Sequence, residues 1–191
     1  DVCSSDLSDA NMENEMKFLP LDRMLERVEI AKDDSDMSLF MNLMYTGEML
    51  TKIVVAGMIA AVVDGRERKR YSAMHKVVRA DGLGDWASVL DEVLTGPTAQ
   101  FLNSAAIDVS RDLTDVYSSG NWQFDTVTLL HECLKIYGFQ DLQDLPRKID
   151  ARRWFRLFTD LRNKSRAHGA PQSGKCALIC QNLENSIRIM I

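Results

Sequence analysis

The sequence holds no cysteine pair at CxxC spacing and no cysteine–histidine cluster of zinc type; its cysteines are Cys3, Cys133, Cys176 and Cys180. That pattern argues against a structural zinc site or a redox dithiol, so no metal and no cofactor are expected. Cys176 and Cys180 stand four apart on a helix-patterned segment and read as small semi-buried side chains. No run alternates apolar and polar residues as a half-buried strand does. A long hydrophobic run is lacking too. The most apolar stretch, residues 50–63, spans 14 positions and includes Lys52, which is short for a bilayer and suits a buried core helix. With no signal-peptide pattern, the expected compartment is the cytoplasm, and no membrane partner is expected. Internal repeats and low-complexity tracts are absent as well.

Bulk positive charge is also missing: the net charge is −5 over 191 residues. The chain as a whole is therefore not a nucleic-acid binder by electrostatics alone. The charge is unevenly spread, however. Asp1 to Asp36 holds 11 acidic and 4 basic residues, whereas Pro146 to His168 holds 8 basic and 2 acidic. A site for a polyanion is expected in the second region.

What is present is helical periodicity almost throughout. Pro20 opens a short amphipathic stretch. Asp36 or Ser38 can cap a long helix running to about Val63, with Glu48 and Lys52 spaced as a surface ion pair. A segment from Arg66 to Ala80 follows, basic at its start (Arg66, Arg68, Lys69 and Arg70). Asp85 can cap the next helix, which Gly96-Pro97 stops. A weaker helix spans Ile107 to Tyr117, and Asn121 can cap one running from Trp122 to Tyr137. Asp150 can cap an Arg-rich helix that Gly169 ends, and a last helix covers Lys175 to Ile191. The expected fold is an all-α bundle, with residues 80–107 as an insertion or cap. His75 and His131 read as structural histidines, and Trp86, Trp122 and Trp154 as packing side chains. The methionines of the long helix read as adaptable core.

The segment with most chemical content is Arg162-Asn163-Lys164-Ser165-Arg166-Ala167-His168-Gly169. A guanidinium can grip a phosphate with two parallel hydrogen bonds, and an imidazole can move a proton near neutral pH. Arg-Asn followed by Ala-His-Gly at the end of an apolar helix, then a loop and one more helix, resembles the HEPN superfamily and its Arg–polar–His pattern. The resemblance is strongest over residues 151–191 and does not inform residues 66–117. It implies a HEPN-like antiparallel helical bundle, here with additional helices inserted. It also implies a metal-independent endoribonuclease of toxin, abortive-infection, antiviral or stress-response type, cutting RNA by attack of the 2′-hydroxyl. Carried over, His168 is the general acid or base, Arg162 holds the scissile phosphate, and Asn163 orients one of these groups or the 2′-hydroxyl. The site would form in a homodimer paired through the motif helix. The alternative is a non-catalytic dimerisation or RNA-binding sensor module.

Spacing points to a partner as well. On an α-helix, six positions amount to about 240° of rotation and about 9 Å of rise, so Arg162 and His168 would not share a face. A helix C-terminus would also favour the imidazolium form of His168. Lys164, Arg166, Arg152, Arg153 and Arg156 are candidates for holding RNA. Here the chain departs from the resemblance, since positions after Asn163 that are often apolar carry charge. Glu48 is the acidic residue of the long helix that could reach the site. Finally, residues 1–7 resemble translated sequencing adaptor. Residues 1–12 are accordingly expected to be non-native or disordered, with residues 13–191 forming the helical domain. The last helix stops mid-pattern, so a longer parent chain with further domains is expected.

Overall fold

The computed structural model describes residues 18–140, 142–167 and 171–191, and these form an all-α helical bundle. Eight α-helices follow one another: α1 (Leu19–Lys32), α2 (Asp36–Ala60), α3 (Lys69–Val78), α4 (Leu83–Thr95), α5 (Ser104–Thr114), α6 (Trp122–Tyr137), α7 (Arg153–Arg162) and α8 (Ser173–Met190). Among the described residues the only β pairing is two isolated bridges, Val62 with Leu102 and Tyr117 with Ile149.

Helix ends follow local hydrogen bonding, and several differ from the sequence reading. The cap of α2 is Ser35, whose Oγ accepts from the Ser38 N–H at 3.1 Å; Asp36 and Ser38 both lie inside the helix. The helix stops at Ala60 rather than Val63 because the next backbone groups are taken elsewhere. The Val63 N–H donates to the Phe101 carbonyl, and the Asn103 N–H donates to that of Ala61. Asp85 does serve α4, from its third position, where its carboxylate accepts the N–H groups of Asp81 and Gly82. The weak helix expected from Ile107 starts earlier, at Ser104, because the Asn103 side chain caps it through the Ala106 N–H. Asn121 does not cap with its side chain, which donates to the Ser118 carbonyl instead. Gly138, at φ 95°, closes α6 in the left-handed region that glycine adopts without strain.

α2 is the central strut. It is about 37 Å long by the α-helical rise and packs against α1, α3, α4, α7 and α8. By length and composition it could cross a membrane; half of its most apolar 18-residue window is buried inside the protein. The 14-residue estimate therefore understated the helix, because Phe40, Leu43 and Met44 continue the apolar face towards its N-terminus. Residues 80–107 contribute α4, whose Val89, Leu90 and Val93 lie in the common core.

Two features fix how α7 sits. Trp154 is fully buried and its indole N–H donates to Ser186 Oγ of α8 at 2.8 Å. Ser186 Oγ in turn donates to the Thr126 carbonyl of α6, and Thr126 Oγ1 donates back to the Ser186 carbonyl. Trp154 also stacks on Phe158, with centroids 4.9 Å apart and planes within 7°. On its other side Phe158 meets α2 at Gly47, where an added Cβ would lie 2.2 Å from the ring. Only a residue without a side chain lets α2 and α7 approach this closely. At the other end, Glu184 of α8 accepts from Lys32 of α1 at 2.7 Å and from Arg188 at 2.8 Å. Burial alone would raise the Glu184 pKa, but the hydrogen bonds from Lys32 and Arg188 outweigh it and hold the carboxyl below its ordinary value of 4.5.

Gly47→Ala should destabilise the fold by about 1–3 kcal/mol in chemical denaturation, the usual cost of overpacking. Adding Phe158→Leu should recover part of that loss, giving clear non-additivity. The depressed Glu184 pKa sets a pH dependence: its contribution is complete above about pH 4.5 and is lost as pH falls through the lower folded-state value. Denaturation across an acid pH series should show this fall, and Glu184→Gln should flatten it.

Candidate active site at a π-helical turn

α7 does not end in an ordinary cap. Past Arg162 the chain winds on as a π-helical turn, Asn163–Ala167. The turn holds Ser165, fully buried, whose hydroxyl donates to the Leu161 carbonyl at 2.7 Å. That carbonyl is the one an α-helix would pair with the Ser165 N–H, and side-chain competition of this kind loosens the helical ladder. Such turns recur at functional sites in helices. The rotation and rise worked out for an unbroken α-helix therefore do not hold through the turn Asn163–Ala167. His168, Gly169 and the Arg166 side chain lie outside the described residues.

The turn presents Arg162, whose side chain is 27% exposed, to α2. Its Nε donates to Glu48 Oε1 at 3.2 Å, and one terminal nitrogen donates to Asn163 Oδ1 at 3.3 Å. Glu48 is thus drawn to Arg162 rather than to Lys52. Lys52 instead places its ammonium 5.8 Å from the centroid of the Trp86 ring. Glu48 and Asn163 fix the guanidinium in one pose while leaving part of it at the surface. Lys164 is exposed, with its Nζ 5.3 Å from the Phe139 ring centroid.

The remaining cationic candidates form a separate group. Arg156 and Arg162 lie six positions apart, roughly 120° around α7. Arg156 Nε donates to Asp91 of α4 at 2.7 Å, and Arg152 lies 3.4 Å from the same carboxylate and 3.1 Å from Thr95 Oγ1. Together with Arg153, Asp150 and Asp160 they line a cleft of about 360 Å³. Three guanidinium groups there meet three carboxylates, so the cleft is close to balanced. The basic window counted along the sequence is offset by Asp91, which arrives from a distant helix.

Other candidate residues resolve into structure. His131 is buried, with Nε2 2.9 Å from the Gln143 carbonyl oxygen. Cys133, Cys176 and Cys180 are all buried, and burial pushes the Cys133 and Cys180 thiols up to about 12, too high to supply a thiolate. Among the described residues no three of His, Cys, Asp or Glu come together as metal ligands. The features that sequence reasoning missed are Ser165 and Gly47. Any helical serine stands four residues after a carbonyl, so Ser165 gave no distinct signal, and Gly47 was hidden among apolar neighbours.

No family model, no curated protein and no solved structure matches the chain.

A double-mutant cycle on Glu48→Gln and Arg162→Lys should give a coupling of about 0.5–1.5 kcal/mol in urea denaturation, since the pair is partly desolvated and Lys cannot reproduce the planar donor geometry. Additive losses would mean that the contact does not hold the guanidinium.

Proposed function

We propose that this protein is a HEPN-like, metal-independent endoribonuclease whose active groups are Arg162, Asn163 and His168. The observation that carries the reading is Arg162 itself: a guanidinium preset by Glu48 and Asn163, part-exposed, at a π-helical break. Such a group is prepared to take two phosphate oxygens with little further loss of side-chain freedom. Lys164 adds an exposed cation next to it. The antiparallel HEPN-type arrangement, a homodimer through the motif helix and a place in cytoplasmic antiviral or stress-response systems belong to the same proposal.

The chemistry needs no cofactor. An imidazole takes the proton of the 2′-hydroxyl, the 2′-oxygen bonds to phosphorus, and the bond to the 5′-oxygen breaks. That oxygen leaves with a proton supplied by an imidazolium, and the products are a 2′,3′-cyclic phosphate and a 5′-hydroxyl. His168 fills the proton-transfer role and Arg162 stabilises charge on the phosphoryl oxygens. Pairing of two motif turns would bring two imidazoles and two guanidinium groups to one backbone, as a two-fold interface does.

A second reading, a non-catalytic dimerisation or RNA-binding module, is favoured by the carboxylates that already occupy these cations, Glu48 at Arg162 and Asp91 at Arg152 and Arg156. One assay separates the two. Single-stranded RNA incubated with purified protein in EDTA should yield cyclic-phosphate ends. His168→Ala should slow this by about 10²–10⁴-fold, and Arg162→Ala by about 10²–10³-fold. Cleavage that survives both substitutions sinks the enzyme reading. An RNA-binding dimer that never cuts establishes the second.

A further inference from the structure

α2 carries more apolar surface than the bundle covers. Its most apolar 18-residue window has a mean hydropathy of 1.3, yet only 50% of it is buried. The uncovered side is a trough rather than a flat face. One part, about 530 Å³, opens between α1 and α2 over Met24, Met49 and Ile53. A second, about 230 Å³, opens between α2 and α3 over Ile59, Met74 and Val78. The two share Ala56 and Trp86, so they run on from one another. From Met49 to Ala60 the floor extends about 16 Å by the α-helical rise, roughly three helical turns. The α3 wall is well exposed, with Met74 at 50% and Val78 at 82%. Side chains this apolar, gathered in one concavity, mark an interaction surface rather than scattered surface hydrophobes.

The rim decides what fits. Arg27, Lys52 and Arg70 border the trough, and among its lining residues the one carboxylate is Glu48, which is engaged with Arg162. This local positive rim contrasts with a chain of net charge −5. The small residues Ala56 and Ala60 at mid-floor admit a close backbone, and the Met side chains adapt to whatever side chains enter. The floor is mostly aliphatic; its two rings, Tyr45 and Trp86, do not make a row of open faces of the kind that stacks bases, and Trp86 already carries the Lys52 ammonium over its ring.

We propose that this trough is a docking groove for an amphipathic helix of another protein, about three turns long, with apolar residues at i, i+4 and i+7 and acidic residues on its flanks. Helix-in-groove recognition supplies the affinity through the apolar anchors, and the cationic rim selects the sign of the flanks. Glu48, which holds Arg162 in the ribonuclease reading, borders this groove, so the test substitutions are placed at Arg27, Lys52, Ala56 and Arg70, which that reading does not use.

The test uses a fluorescent synthetic helix of about three turns with Leu anchors and Glu flanks, and the same helix with Lys flanks. Anisotropy titrations of the wild-type chain should show the Glu helix binding at least about tenfold more tightly than the Lys helix, weakening with salt. Reversing the rim with Arg27→Glu, Lys52→Glu and Arg70→Glu should invert that preference. Ala56→Lys keeps the rim positive but lays a long side chain across the floor. It should weaken the Glu helix by at least about tenfold while the thermal midpoint stays near wild type. Equal binding of both helices, no binding of either, or indifference to Ala56→Lys overturns the proposal. It is also overturned if sedimentation shows a dimer that Ala56→Lys dissociates, which makes a second copy the occupant. Displacement of the Glu helix by single-stranded RNA, lost on rim reversal, would assign the groove to RNA and overturn it too.

Discussion

The indole N–H of Trp154 must find an acceptor in a place without water, and that need organises the centre of the bundle. A buried donor left unpaired costs about 1–3 kcal/mol, more than a typical paired hydrogen bond contributes. Ser186 answers it, and can do so only because its own proton goes to the Thr126 carbonyl. Three helices are thereby fixed at one point: α7 through Trp154, α8 through Ser186 and α6 through Thr126. Thr126 and Ser186 each bond the other's carbonyl, so neither helix can slide along the other without breaking both contacts. A polar cluster in which every member is satisfied defines register more sharply than apolar packing alone.

Register at that point propagates to the motif. With Trp154 fixed, Phe158 is stacked one turn further on, and its ring needs the bare backbone of Gly47. Four residues past Phe158 stands Arg162, and the residue after Gly47 is Glu48. The ion pair is therefore set by a contact between apolar groups, one turn away, rather than by attraction between charges alone. An isolated partly exposed pair contributes little to stability. Here its value is positional: the carboxylate and Asn163 hold a guanidinium still at the point where the α-helix passes into the π turn.

Much of this was legible beforehand, for reasons that differ by scale. Helical periodicity and the absence of strand alternation gave the all-α class, because those signals come from each segment's own side chains. The arrest of α6 at Gly138 was equally local; at α7 the residue before the helix is Arg152, not Asp150, although the Asp150 carboxylate accepts the Arg153 N–H. The partner of Glu48 was not, since Lys52 and Arg162 were both sterically reasonable and only the packing of α7 on α2 decides between them. The same holds for the basic window: counting along the chain missed Asp91, which meets Arg152 and Arg156 from α4. The α-helical spacing argument for Arg162 and His168 assumed a regular helix, and the π turn at Asn163–Ala167 was not legible in the residue pattern.

One helix thus carries three demands at once. α2 must be apolar enough to pack against five neighbours, bare at Gly47 for Phe158, and polar at Glu48 for Arg162. These demands fall on its inner face and on the flank towards α7. They do not account for Met49, Ile53, Ala56 and Ala60, which lie towards the outer trough. Met49 and Ile53 are half-buried there and Ala56 and Ala60 exposed, and a helix under no further constraint would carry polar residues at the exposed positions, since apolar groups left in water favour non-specific association. Their retention beside a cationic rim makes sense if the outer face of α2 is also a contact surface, and the length of the helix leaves room for that contact without disturbing the turn at Arg162.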